Sequence, residues 1–220
     1  MLYIPNEIKE IIKNLNYKID NIGRSTDIII VFEDKYILKI SKDKDRIYRE
    51  KEKFDWLYNQ INGSKSILII EENEYIYYLR TYLKGHILCD NKFIDNPILL
   101  IEILKQINYK LRSLDDLSCP FKSMENEGND FVHGDLCLPN IIVDDNNKFV
   151  GFIDIENCGK GDKYFDYSWL LWSFEYNLRT YEFNELLIKE LKIDIDEDIY
   201  RKYIPNENIK MLGRKAWTVN

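Results

Sequence analysis

The stretch Val132-His133-Gly134-Asp135-Leu136-Cys137-Leu138-Pro139-Asn140, with Phe152-Ile153-Asp154 downstream, constrains this chain more than any other. The apolar runs Ile141-Ile142-Val143 and Phe149 to Ile153 flank Asp144-Asp145-Asn146-Asn147, a pattern that predicts a β-hairpin. That hairpin sets the distance from Asn140 to Asp154. An acid, an amide and a second acid thereby acquire defined separations.

Asp135 and Asn140 stand five residues apart, the spacing of the catalytic-loop pattern H-R-D-x-x-x-x-N, with Gly134 in place of the arginine. The chemistry accounts for the spacing. A base must face an incoming hydroxyl, while the amide oxygen, a loop's width away, faces a hard cation such as Mg²⁺ that accepts oxygen ligands. Asp154 supplies a second ligand. An isolated His-Gly-Asp reads as an ordinary turn, since Gly, Asp, Pro and Asn all form turns. The added Asn140 and the strand-terminal Asp154 point instead to phosphoryl transfer, provided the N-terminal half offers a nucleotide-binding lobe.

Residues 6 to 15 place Ile8, Ile11, Ile12 and Leu15 at helical spacing, with Asn6 as the expected N-cap. Strands follow at Tyr17 to Ile22, Asp27 to Phe32 and Tyr36 to Ile40, an antiparallel meander. Gly23-Arg24-Ser25-Thr26 lies where a turn over nucleotide phosphates is needed, with Ser25 as a hydroxyl donor, though such turns are common. Lys39 interrupts the apolar strand Tyr36-Ile37-Leu38-Lys39-Ile40 in the manner of the phosphate-pairing lysine of V-A-I-K. A helix from about 44 to 60 carries Phe54, Leu57, Tyr58 and Ile61 on one face and places Glu50 as a partner for Lys39. Ile67 to Ile70 and Tyr75 to Leu79 read as a hairpin, and Arg80 to Gly85 as a connector. The predicted organisation is a nucleotide-binding lobe at 1–80, a hinge at 81–85 and a catalytic and substrate lobe at 86–220.

In the C-terminal half, Leu100, Ile103, Leu104, Ile107, Leu111 and Leu114 trace one face of a helix over 97–114. Residues 115 to 130 are polar and turn-rich, and Gly159 to Lys163 reads as a loop. Tyr164 to Asn177 is an aromatic helix whose Trp169 and Trp172 are expected in the core. Further helices are expected over 181–191 and 196–213. The acids there, Glu182 to Asp198, read as solvated faces, although they could also line a pocket for a cation.

Composition excludes several classes. At 220 residues with 45% hydrophobic content the chain can bury a sizeable core. A formal charge of −7 disfavours nucleic acid as a partner and suits a cationic substrate better. No apolar run approaches a membrane span, and the N-terminus does not read as a signal peptide. Cys89, Cys119, Cys137 and Cys158 form no C-x-x-C pair, and His86 and His133 are the only histidines, which argues against structural zinc. Together these features predict buried thiols in a reducing cytoplasm rather than two disulfides.

The motifs Gly23-Arg24-Ser25, Tyr36 to Ile40, Arg49-Glu50-Lys51, His133 to Asn140, Gly151 to Asp154 and Asp162 to Asp166 resemble those of the aminoglycoside phosphotransferase family, in particular its 3′-type enzymes. The resemblance implies an α+β, two-lobed, protein-kinase-like fold: an antiparallel sheet plus helix in the N-lobe, a mainly helical C-lobe, and ATP (or GTP) with Mg²⁺ in the cleft. It implies Asp135 as catalytic base, Asn140 and Asp154 as metal ligands, Lys39 on the phosphates with Glu50 as partner, and Ser25 touching the phosphates. Thr81 and Leu83 would offer hinge backbone to the base, and His133 and Asp166 would brace the catalytic loop. The implied acceptor is a small-molecule hydroxyl, an aminoglycoside. Three features depart from the family pattern: residues 115–130 are too short for the family's helical insertion, the acidic and aromatic tail is missing, and Asn157 stands where an arginine is common. Two rival readings follow, a kinase of another amino-alcohol, sugar or metabolite, and an inactive nucleotide-binding protein on the same scaffold.

Overall fold

The computed structural model describes residues 3–20, 27–123 and 127–211. The chain divides between Lys84 and Gly85 into two compact units.

The first unit begins with α1 (Asn6–Ile11). Its N-cap is Pro5 rather than the expected Asn6, and it makes no side-chain cap bond. A five-stranded antiparallel sheet follows, in the order β1-β2-β3-β5-β4. Its strands are β1 (Tyr17–Asp20), β2 (Ile28–Phe32), β3 (Tyr36–Ser41), β4 (Ser66–Glu72) and β5 (Tyr75–Thr81), with α2 (Lys44–Ile61) between β3 and β4. Asp43 caps α2 by accepting from the Arg46 amide, the usual way to satisfy a helix-start N–H. The β4–β5 turn is tighter than the four residues expected, because Asn73 and Glu74 both take left-handed φ values of 51° and 68°, the geometry of a two-residue hairpin turn.

Alternation along β3 divides its side chains between the two faces of the sheet. Leu38 and Ile40 join Ile8, Ile12, Ile30, Phe32, Tyr77 and Leu79 in one core cluster. Lys39 points the other way, toward α2, which buries Ile47, Glu50, Phe54, Leu57 and Ile61.

The second unit opens with β6 (His86–Ile87), α3 (Asn91–Ile94) and α4 (Pro97–Arg112). Asn96 caps α4 through the Leu99 amide, with Pro97 preset for the first turn. β7 (Asp130–Val132) leads to a 3₁₀ turn at Leu138–Asn140, then β8 (Ile141–Val143), β9 (Phe149–Phe152) and β10 (Gly159–Gly161). β8 and β9 form the expected hairpin, extended by β6. Residues 159–161, expected as loop, pair antiparallel with β7; a Gly-Lys-Gly strand carries no β-propensity signal in its sequence.

α5 (Lys163–Leu178), α6 (Asn184–Leu191), α7 (Glu197–Tyr203) and α8 (Asn206–Met211) complete the described residues. The single helix expected over 196–213 is instead α7 and α8, divided at Pro205, whose missing N–H interrupts the ladder. Trp169 and Trp172 are half-buried rather than core, and Trp172 stacks on exposed Tyr176. All four cysteines are free thiols, with Cys137 and Cys158 buried. No helix among the described residues is long and apolar enough to cross a membrane.

Leu38 is fully buried in the sheet's core cluster. Leu38→Ala is expected to lower unfolding free energy by about 2–5 kcal/mol, measured by urea denaturation.

Candidate active site

β7 ends in a loop whose backbone is held from α5. Asp166, fully buried in the first turn of that helix, accepts the His133 N–H through Oδ2 at 2.6 Å and the Gly134 N–H through Oδ1 at 2.9 Å. Burial lifts the Asp166 carboxyl to about 7, with the two amide donors pulling it back down. Farther along the same helix, Ser173 Oγ accepts the Leu138 N–H at 3.0 Å.

His133 is buried and bridges two other segments. The Ile153 carbonyl, 3.1 Å from Nε2, can only accept, and the Asp135 N–H, 3.2 Å from Nδ1, can only donate. The imidazole is therefore the neutral Nε2–H tautomer. Burial pushes its pKa down to about 4, against the opposing pull of Asp135 and the Ile153 carbonyl. Gly134 has φ +83°, and a Cβ there would lie 2.5 Å from the Asn157 carbonyl oxygen. No larger residue fits without moving that backbone.

The result is a fixed carboxylate. Asn140 Nδ2 donates to Asp135 Oδ2 and to the Asp135 carbonyl, both at 2.9 Å. Cys137 Sγ donates to Asp135 Oδ1 at 3.1 Å. Burial, then the Asp135 charge, push the Cys137 thiol well above its ordinary range, so the sulfur keeps its proton. Because the Asn140 amide nitrogen is committed to Asp135, its oxygen is the end left for a cation. Asp154 follows β9 and is exposed, in the left-handed region at φ +56°, a conformation uncommon outside glycine and concentrated at functional sites. Its segment is tied back through the Ile153 N–H to the Asn140 carbonyl, 3.0 Å away.

In the first unit, Lys39 Nζ lies 2.5 Å from Glu50 Oε2 and 3.6 Å from Asp27 Oδ2. Asp27 is also 2.5 Å from Arg46 Nη2. Burial raises the Asp27 carboxyl, but hydrogen bonds from Arg46 and Ser41 and the charge of Lys39 more than offset it and hold the group below its ordinary value. The Thr81 N–H donates to the Lys65 carbonyl at 2.9 Å, and the Thr81 carbonyl accepts from Ser64 Oγ at 2.6 Å. Leu83 is buried. Gly23, Arg24 and Ser25 lie outside the described residues.

The structure thus brings together Asp135, Asn140, His133 and Asp166 in one unit, and Lys39 with Glu50 in the other. Sequence reasoning missed Asp27, Cys137 and Ser173. Ser173 had a usable signal, since it sits seven positions after Asp166 and so falls on the same face of α5. Asp27, before β2, had none.

Among the described residues no group of three or more His, Cys, Asp or Glu could hold a metal. Asn140 and Asp154 instead offer two hard oxygen ligands. That set fits Mg²⁺, which is commonly held by one or two protein oxygens together with substrate phosphates.

A sequence model described as the phosphotransferase enzyme family matches residues 129–197, the segment that carries Asp135, Asn140, Asp154 and Asp166. A probable aminoglycoside 3′-phosphotransferase of Lactococcus lactis subsp. lactis (strain IL1403) is 34% identical over 97 residues, 40% of this chain and 36% of that protein. An aminoglycoside 3′-phosphotransferase of Niallia circulans is 37% identical over 75 residues, 34% of this chain and 28% of that protein. The chain therefore matches well under two thirds of the length of these curated relatives. Among solved structures, an aminoglycoside phosphotransferase from Streptomyces rimosus in complex with ADP and streptomycin covers 94% of this chain and 96% of its own, with TM-score 0.74 and 16% identity. The aminoglycoside-3′-phosphotransferase of type VIII gives TM-score 0.67 over 90% of this chain and 93% of its own, at 14% identity. The resemblance read from the motifs is borne out, and the α+β fold is that of the kinase-like aminoglycoside phosphotransferases.

Neutral His133 gives a pH prediction. Its folded pKa lies near 4, below its unfolded value of 6.5, so the unfolded chain takes up a proton that the folded one refuses. The stability advantage of the wild type over His133→Gln is expected to shrink as pH falls from about 6.5 to about 4, followed by urea denaturation at stepped pH.

Proposed function

We propose that this protein is an O-phosphotransferase that moves the γ-phosphate of ATP or GTP to a hydroxyl of a small molecule, with an aminoglycoside as the first acceptor to test. The observation that carries the proposal is the Asp135 carboxylate, pinned by Asn140 and Cys137 on a loop whose backbone is held by Asp166.

Asp135 is the base: fixed on both oxygens, it accepts the hydrogen bond of the acceptor hydroxyl and takes its proton as the bond to phosphorus forms. Asn140 Oδ1 and Asp154 would hold Mg²⁺, which would supply positive charge against the charge developing on the phosphates. Lys39, kept in place by Glu50, is the cation this reading assigns to the nucleotide phosphates, and Ser25, expected to add a hydroxyl there, lies outside the described residues. Leu83 offers backbone to the base. Thr81 adds little, because its N–H and carbonyl are already engaged. His133 and Asp166 act through the loop. Most of the rate enhancement comes from orientation and electrostatics, since phosphoryl transfer leaves little covalent work to the protein. The four free thiols suit a reducing cytoplasm, and the net charge of −7 suits a cationic acceptor.

A second reading keeps this chemistry with a different alcohol as acceptor. The observation favouring it is the short connection between α4, ending at Arg112, and β7, starting at Asp130. Of the acids of the C-terminal helices, Glu182, Glu185, Asp194, Asp196 and Asp198 are exposed, while Glu190 pairs with Lys105 and Glu197 with Arg201.

Release of ADP across a panel of aminoglycosides, amino-alcohols and sugars separates the two readings; turnover of a sugar or amino-alcohol with none of any aminoglycoside would overturn the first. Asp135→Asn is expected to lower kcat by about 10²–10⁴ with nucleotide affinity kept, whereas Lys39→Ala weakens nucleotide binding in calorimetry. Wild-type turnover by Asp135→Asn would remove the base assignment. Binding of MgATP in a thermal-shift assay with no ADP release to any acceptor would favour the inactive nucleotide-binding scaffold.

A further inference from the structure

Cys137 carries no chemical step in the reaction described above, yet its side chain touches the proposed base. The thiol is not needed to close the turn. The Cys137 N–H already donates to the Asp135 carbonyl at 2.8 Å, and the Asn140 N–H to the Cys137 carbonyl at 3.0 Å. Its side chain serves the carboxylate instead. Sγ lies 3.1 Å from Asp135 Oδ1, and its other acceptor, the Trp169 carbonyl, is at 4.0 Å, too long to compete.

The backbone that carries the thiol is anchored from α5. Ser173 Oγ accepts from the N–H of Leu138, the next residue, at 3.0 Å, and Ser173 is itself tied to Asn177, whose Nδ2 donates to the Ser173 carbonyl at 2.7 Å and to Oγ at 3.3 Å. The helix thus fixes where the Cys137 side chain starts, and the thiol spans the remaining gap to the carboxylate.

We propose that Cys137 and Ser173 are positioning residues: Ser173 anchors the backbone beside Cys137 to α5, and the Cys137 thiol fixes the Asp135 carboxylate in the orientation that receives the acceptor hydroxyl. Asn140 fixes Oδ2 from the opposite side, so the carboxylate plane is held at both oxygens and each keeps a lone pair for the incoming group. Sulfur is a weak donor, and the anchored backbone compensates by holding it at one distance from the carboxylate.

This inference rests on Asp135 being the base, so the experiment uses two independent readouts on the full chain. The first is the infrared S–H stretching band of Cys137, isolated as the difference between wild type and Cys137→Ser. It is expected at the low wavenumber of a hydrogen-bonded thiol, to move upward in Asp135→Ala, and to broaden in Ser173→Ala as the anchored backbone loosens. The second is ADP release from MgATP, with water and with streptomycin as acceptors. Cys137→Ala is expected to lower kcat roughly 10-fold to 150-fold, the range set by one hydrogen bond to a charged group, with the KM for ATP unchanged. Cys137→Ser, which keeps a donor of similar size, should restore most of the rate. A Cys137 band that stays in place in Asp135→Ala overturns the positioning role, as does a Cys137→Ala kcat equal to wild type where Asp135→Asn is inactive. An active Asp135→Asn would overturn the base assignment instead, while the infrared shift would still report the hydrogen bond.

Discussion

Two buried backbone N–H groups, those of His133 and Gly134, end on the two oxygens of one buried carboxylate, Asp166. Neither donor can reach water, and an unpaired buried donor costs about 1–3 kcal/mol, so the loop can take its shape only where α5 delivers that carboxylate. The same helix then receives the Leu138 N–H on Ser173. Three points of the loop are thus dictated by one helix. Gly134 follows as a necessity, because the path between these anchors runs too close to Asn157 for a side chain.

With the backbone fixed, the side chains have few choices. His133 must be neutral, since one ring nitrogen faces a donor and the other an acceptor. Asn140 must direct its nitrogen at Asp135, which commits its oxygen to the other side. The titration behaviour and the ligand orientation are two consequences of one hydrogen-bond pattern.

The first unit meets a different constraint, that of burying charge. Lys39 and Glu50 are largely removed from solvent, as are Asp27 and Arg46. Two cations and two anions balance there, and such charges persist in low dielectric only when paired and hydrogen-bonded. Lys39 stands between two carboxylates, so its ammonium is held in place by charges on two separate elements, Glu50 on α2 and Asp27 before β2.

Spacing made Asp135 and Asn140 legible in the sequence, and alternation made Lys39 legible as the odd residue of an apolar strand. Both periods are local properties of the backbone, and the hairpin that carries Asp154 follows from the same rule. Asp27, Cys137 and the Gly-Lys-Gly strand were not legible, because nothing in their own neighbourhoods distinguishes them from surface, core and loop. By itself the sequence determined the α+β order of elements and the acid-amide-acid pattern, because turn chemistry and hydrophobic periodicity act over a few residues. Only the tertiary structure decided which groups orient Asp135 and its loop, because the bonds from Gly134 to Asp166 and from Leu138 to Ser173 join residues 32 and 35 positions apart and exist only once α5 has packed against the loop.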